Sequence, residues 1–408
     1  MRALYFLLTA CALSAQTSLL PSLIESAQHN EQIESYSQQS SAASLGYEST
    51  KYSYFPRIDG FGNASFVDKT GGFDAKQSYS AGIKGEFIVF DGFKRENLID
   101  QSKALKNAAK YTLNGAKKEI SLEVIQRYFE LQNTLDEIQT LSTMRDQLEA
   151  QLSRLEKFKS VGLASEDALM RMSSELSNVH YKMEDLRYRY EHQKSDIERI
   201  SNQVLGDLSP SEIIPPKETK TQELDKLTAL KYSRDAKIHE AQMRDSHNLP
   251  TLKLEDQYTI NDSYNDPMAQ MRVSQQNKFI ASLSINLLDF SSASLSKQAL
   301  MAQVQAQNSE LSHATKEANQ KRVLALRYIE RTRALIDASQ KTYDASVKTF
   351  EAVKKKYEAR IVDYVTYLDA LHVLSDSTNQ LSRALRTLNY AYAAYYYYAG
   401  YDPKEFVK

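Results

Sequence analysis

Two stretches of this chain, 200 residues apart, carry the same order of elements, and that duplication limits what the whole can become. Arg127-Tyr128-Phe129-Glu130 recurs as Arg327-Tyr328-Ile329-Glu330. The strand-like segment Tyr79–Val89 recurs at Phe279–Asp289, and Pro56 and Pro250 stand just ahead of the first strand of each copy. In both copies a strand pair leads into a helical pattern too long for a globule. Each strand is about ten residues, the length a tilted strand needs to cross a bilayer. Four strands cannot close a barrel, and lipid does not tolerate an open sheet edge. Either the strands stay out of the membrane, or several chains contribute to one barrel.

The strands are read from period-two alternation. Tyr79, Ala81, Ile83, Phe87 and Val89 face one way, and Ser80, Lys84 and Glu86 the other. In the second copy Leu252, Leu254, Tyr258 and Ile260 alternate with Lys253, Glu255, Gln257 and Thr259. Phe279, Ala281, Leu283, Ile285 and Leu287 then alternate with Ser282, Ser284 and Asn286. The loops 68–77 and 261–277 join the strands of each pair.

No Pro occurs between Pro56 and Pro210 or between Pro267 and Pro403, and no Gly between Gly206 and Gly400. Such breaker-free runs suit long helices. From 93 to 159 the pattern spans about 100 Å at 1.5 Å per residue. The return helix repeats at three-four spacing through Leu169, Met172, Leu176, Val179, Met183, Leu186, Tyr190, Gln193, Ile197, Ile200 and Val204. A second return helix runs through Tyr364, Tyr367, Leu371, Leu374, Thr378, Leu381, Leu385, Leu388, Tyr392, Tyr395 and Ala399. Its partner places Ile336, Tyr343, Phe350 and Tyr357 at seven-residue steps. These are coiled-coil seams, and the short turns Ser160–Ser165 and Glu358–Asp363 make each pair an antiparallel hairpin.

Composition excludes several classes. The formal net charge is -1, which argues against nucleic acid as a partner. The seven His never pair with each other or with Cys at ligand spacing, so no metal or other cofactor is expected. No catalytic triad or phosphate loop is visible, and an enzyme is not expected. Met1-Arg2 followed by Ala3–Leu13 reads as a secretory signal, 1–15, cut near Ala15. Leu8-Thr9-Ala10-Cys11 offers the other reading, a lipobox that would make the only cysteine, Cys11, a lipid-anchored N-terminus.

The boundaries follow: a first repeat over 16–206 (a short helix, strand pair 57–90, hairpin 93–206), a linker 207–222 holding Pro210, Pro215 and Pro216, and a second repeat over 223–400 (a short helix, strand pair 250–290, hairpin 292–400). The tail 401–408 is polar and reads as loosely ordered. The seven Tyr of Asn389–Tyr401 read as helix packing near the N-terminal segment, and Lys354-Lys355-Lys356 as a solvated face.

Tyr54-Phe55-Pro56-Arg57-Ile58 before the first strand, Val89-Phe90-Asp91-Gly92 at a strand end and Val161-Gly162-Leu163-Ala164 at the hairpin turn resemble, in this order and spacing, the TolC family of outer-membrane efflux and secretion ducts. The resemblance implies an α+β, mostly α fold: a homotrimer whose twelve strands, four per chain, build one transmembrane β-barrel. The barrel continues into an α-helical barrel of long antiparallel coiled-coil hairpins in the periplasm of a Gram-negative bacterium. It implies a passive exit duct in outer-membrane lipid, serving a periplasmic adaptor protein and an inner-membrane transporter. The alternative is a periplasmic coiled-coil scaffold or adaptor that forms no channel.

The same resemblance assigns residues. Val161, Gly162, Leu163 and Ala164 match the family's adaptor-docking turn. At the second turn Arg360 stands where the family often has Gly, followed by Ile361. Asp369 falls on one of two positions that ring the periplasmic entrance with carboxylates, and Thr366 on the other. A ring of three carboxylates would favour cations. Tyr357 matches a Tyr that holds the entrance shut, and it also completes a heptad series.

Overall fold

The computed structural model describes residues 19–68, 75–217, 221–264, 266 and 268–408. The expected signal segment, Cys11 and Gly71-Gly72 lie outside them. The elements run α1 (Leu20–Ala27), α2 (Glu31–Tyr52), β1 (Arg57–Phe66), β2 (Gln77–Phe90), α3 (Lys94–Lys159), α4 (Glu166–Ser201), α5 (Asp225–Gln242), β3 (Thr251–Tyr264), β4 (Gln275–Ser284), α6 (Ser292–Glu358) and α7 (Tyr364–Tyr398). The chain divides into two compact units, each drawing residues from both sequence repeats.

One unit holds the sheet. Its four strands lie in the order β1-β2-β3-β4, all antiparallel, so β1 and β4 are edges. The registers set Ile83 opposite Tyr258, and Phe87 opposite Leu254, which in turn faces Ala281. One face is therefore apolar, and Ile83, Tyr258, Ile260, Phe279 and Leu283 on it are all exposed. The other face carries a charge lattice. Lys84 lies 3.2 Å from Glu255 and Lys253 lies 3.0 Å from Glu86. Two carboxylates interrupt the apolar face: Asp256, opposite Gly85 and Phe279, and Asp262, opposite Tyr79.

β4 ends at Ser284, short of the expected Leu287. Its ladder partner begins at Thr251, paired with Ser284, and the preceding Pro250 has no N–H to extend the ladder. Residues beyond Ser284 thus keep the alternating pattern without a partner, and Ile285 and Leu287 are exposed.

The two strand-to-helix junctions repeat each other. Asp91 accepts bonds from the N–H groups of Lys94 and Arg95, with Gly92 and Phe93 both at positive φ. Asp289 accepts from Ser291 and Ala293, with Phe290 and Ser291 at positive φ. The duplication is thus visible in backbone geometry where the residues differ.

The other unit holds the helical core. In the first cluster Leu20, Leu23 and Ile24 of α1 pack with Val124, Ile125 and Tyr128 of α3, Ile197 and Ile200 of α4, and Tyr392, Tyr395 and Tyr396 of α7. The tyrosine run is therefore packing against the N-terminal segment, as its spacing suggests. In the second cluster Leu141, Met144, Leu148 and Leu155 meet Met172, Val179, Met183 and Leu186, then Phe350, Tyr367 and Leu371. Gln193, the one polar member of the α4 seam, accepts a 2.8 Å bond from Thr134. Val204 does not join the seam, because α4 ends at Ser201 with Asn202 in the left-handed conformation; Val204 is 88% exposed.

The tail differs from expectation. Phe406 stacks on Tyr396 with centroids 3.5 Å apart. Glu212 and Lys408 exchange backbone hydrogen bonds, and Ile214 donates to Phe406. A short ladder thus binds the tail to the linker. The tail's few apolar side chains match a pocket that only the folded chain makes.

Candidate functional site: the hairpin tips

Both tips end their first helix by the same hydrogen-bond scheme. At the first, Gly162 N–H donates to Lys159 O and Leu163 N–H to Phe158 O; at the second, Arg360 donates to Tyr357 O and Ile361 to Lys356 O. This is the Schellman arrangement, which needs one residue in the left-handed region. Gly162 takes it at φ 75 and Arg360 at φ 62. A side chain there costs about 1 kcal/mol. Each return helix then opens on a side-chain cap: Ser165 accepts from Ala168 N–H, and Asp363 from Thr366 N–H.

The tips meet in a cleft of about 190 Å³ lined by Phe158, Leu163, Ala164, Tyr357, Arg360 and Tyr364, among others. Phe158 is flanked by the guanidinium groups of Arg360, 4.4 Å from the ring centroid, and Arg154, 5.3 Å away. Arg154 also donates a 2.8 Å bond to Glu358 O. Arg360 thus does through its side chain what Gly cannot, tying the second tip to the first. Val161, Leu163 and Ile361 are exposed at 65%, 58% and 71%, standing as apolar knobs on the turns.

The expected gate residues separate. Asp369 is exposed on α7 and has no polar partner among the described residues. Thr366 is occupied locally, its hydroxyl donating a 2.6 Å bond to Asp363. That bond and the backbone cap hold the Asp363 carboxyl below its usual range. Tyr357 stacks on Tyr367 at 4.8 Å, and burial pushes its phenol up. Tyr367 is fully buried, and its phenol is pushed up to about 12 by the same desolvation. Tyr357 therefore sits in a packed seam.

A different tyrosine makes the polar link that Tyr357 does not. The Tyr364 hydroxyl donates to Asp167 at 2.6 Å, and Arg171 lies over the Tyr364 ring. Sequence reasoning missed this pair. Its one signal was position: each residue lies in the first turn of its return helix, within two residues of a capping Ser or Asp. Higher up, Arg383 bonds Glu137 and Arg386 bonds Asp136, tying α7 to α3. Among the described residues no cluster of His, Cys, Asp or Glu could hold a metal ion.

The model of the outer membrane efflux protein family matches residues 23–202. Among solved structures, the chain superposes on the CmeC outer membrane channel of Campylobacter jejuni with a TM-score of 0.84 at 12% identity, covering 98% of this chain and 93% of that one. It matches VceC of Vibrio cholerae with a TM-score of 0.80 at 12% identity, over 93% and 96% of the two chains. It matches the open state of the MtrE outer membrane channel of Neisseria gonorrhoeae with a TM-score of 0.79 at 14% identity, over 94% and 89%. No curated protein matches by sequence. The fold is thus that of these outer-membrane channels, and residues 23–202 are similar to the outer membrane efflux protein family.

Proposed function

We propose that this protein works as a homotrimeric outer-membrane exit duct, in which each chain supplies one third of a transmembrane β-barrel. The observation that carries this reading is the four-stranded sheet itself. It has an exposed apolar face, a charged opposite face and two unpaired edges. Lipid leaves such edges no partner except another copy. The helices agree: α4 exposes Tyr181 and Tyr188, and α6 exposes Leu324 and Leu335, apolar residues without cover in one protomer. The channel is passive, and the family is one of efflux channels rather than enzymes. A scaffold without a channel would not need a membrane-length sheet.

Finer roles rest on the tips. Val161, Gly162, Leu163 and Ala164, with Arg360 and Ile361, form the docking surface for a periplasmic adaptor bound to an inner-membrane transporter. Exposed apolar side chains on rigid, capped turns support this role. Asp369 narrows the periplasmic entrance as a ring of three carboxylates. Its exposure and lack of a partner support that role. Native mass spectrometry in detergent tests the assembly; a trimer is expected, and a monomer would overturn the reading. Planar-bilayer recording tests the ring: Asp369→Ala should raise conductance and lower cation preference, and unchanged currents would remove the ring. Replacing Gly162 and Leu163 together should abolish export while leaving the trimer intact.

A further inference from the structure

Closing three sheets into one barrel requires each sheet to meet the next with a stagger, because barrel strands tilt from the axis. Followed straight across one sheet, Asp59 of β1 lies level with Lys84, Gln257 and Lys278. A seam without stagger would therefore set Asp59 of one copy opposite Lys278 of the next, with no tilt. The stagger must also be an even number of residues, since an odd one puts lumen-facing side chains against lipid-facing ones.

We propose that the seam between copies is staggered by about six residues, so that Ile285 of one copy pairs with Ile58 of the next and the unladdered segment after Ser284 becomes strand on assembly. This rests on the trimeric-barrel reading and adds its register. Two observations fix it. The first is direction. Staggered the opposite way, β4 would lie against residues of the helix α2, Glu31–Tyr52, instead of β1. The second is the segment itself. Ile285, Asn286 and Leu287 continue the alternation of Phe279, Ala281 and Leu283, yet find no ladder partner because β3 starts at Thr251; only the Asn286 side chain is engaged, by the His247 ring. With this register β1 finds partners along its whole length, Arg57 opposite Asn286 and Phe66 opposite Asn277. Pro56 then ends the seam where its missing N–H makes a further rung impossible.

The side chains fit. On the outer face Leu283 meets Gly60 and Ala281 meets Gly62, large or medium beside none, and Ile285 meets Ile58, which is 74% exposed in the single chain. On the lumen face Ser284 meets Asp59. A stagger of about six over twelve strands gives a tilt of about 45°, and one of about four gives about 35°, so both suit a barrel. The pattern beyond Ser284 separates them, because the smaller stagger sets Ile285 against Pro56.

Cysteine cross-linking in outer-membrane vesicles reads the register directly, since Cys11 is the only native cysteine. Ile58→Cys is combined in turn with Ile285→Cys, Leu283→Cys and Phe279→Cys, reporting staggers of about six, four and zero. Oxidation should convert the first pair into covalent trimers on denaturing gels and leave the other two mostly monomeric. Cross-linking through Leu283 or Phe279 instead would overturn the register. Asp59→Cys with Ser284→Cys, on the lumen face, is the second variant and should also cross-link. Native mass spectrometry of the unoxidised protein reports the trimer independently. A trimer with neither expected cross-link defeats the register alone, whereas a monomer defeats the underlying reading.

Discussion

The Tyr364 hydroxyl lies 2.6 Å from the Asp167 carboxylate, joining the first turns of the two return helices. The bond holds Asp167 below the usual carboxylate range and raises the Tyr364 phenol. A depressed carboxyl stabilises the folded state above its unfolded value of about 4, and that contribution is lost as pH falls through the folded value. A raised phenol stabilises below about pH 10 and loses that effect as pH rises through its folded value. The link therefore holds across the range between. Tyr364→Phe should raise channel conductance at neutral pH, while the native channel should show a comparable rise only below about pH 4. Equal currents at neutral pH would show that the bond is not a restraint.

The two turns should respond unequally to exchange of their left-handed residues. Gly162→Ala places a Cβ at φ 75 with open space around it, so strain alone should cost about 1 kcal/mol. Arg360→Gly relieves a similar strain but loses stacking on Phe158, worth about 0.5–1 kcal/mol. Thermal unfolding should show a loss for the first and a change near zero for the second.

Asp256 stands on the apolar face beside Phe279 and Gly85. A carboxylate facing lipid is unfavourable, though less so than Lys or Arg at mid-bilayer. Asp256→Leu should stabilise the protein by about 1 kcal/mol in denaturant titrations from lipid vesicles. A loss of stability would mean that this level of the sheet does not face acyl chains.

The ordered tail gives a fourth test. Phe406 stacks on Tyr396 and packs edge-on against Tyr401. Phe406→Ala should cost about 2 kcal/mol, below the full core range because the ring is only partly covered. It should also speed hydrogen exchange at Ile214, whose N–H the tail backbone holds.

The hairpins were legible because three-four spacing over dozens of residues has few other solutions. Met172, Val179, Met183 and Leu186 all lie in the seam where the pattern puts them. The strands were legible from alternation, except where a partner decides. β4 stops at Ser284 although the pattern runs to Leu287, because a ladder needs a second strand. Tail order was hidden, since Phe406 finds Tyr396 only after α7 forms. The Tyr364–Asp167 link was hidden for the same reason, as its residues lie 197 positions apart. Arg360 was visible as a departure from Gly, but its stacking on Phe158 was not.

The ladder between Glu212 and Lys408 has a consequence for how the chain is made. Its linker strand leaves the ribosome with the first repeat and cannot close until the second repeat has been translated. Until Val407 is made, Ile213 therefore lacks its bridge to the tail. A chain truncated before Phe406 leaves the Glu212 and Ile214 N–H groups without these acceptors.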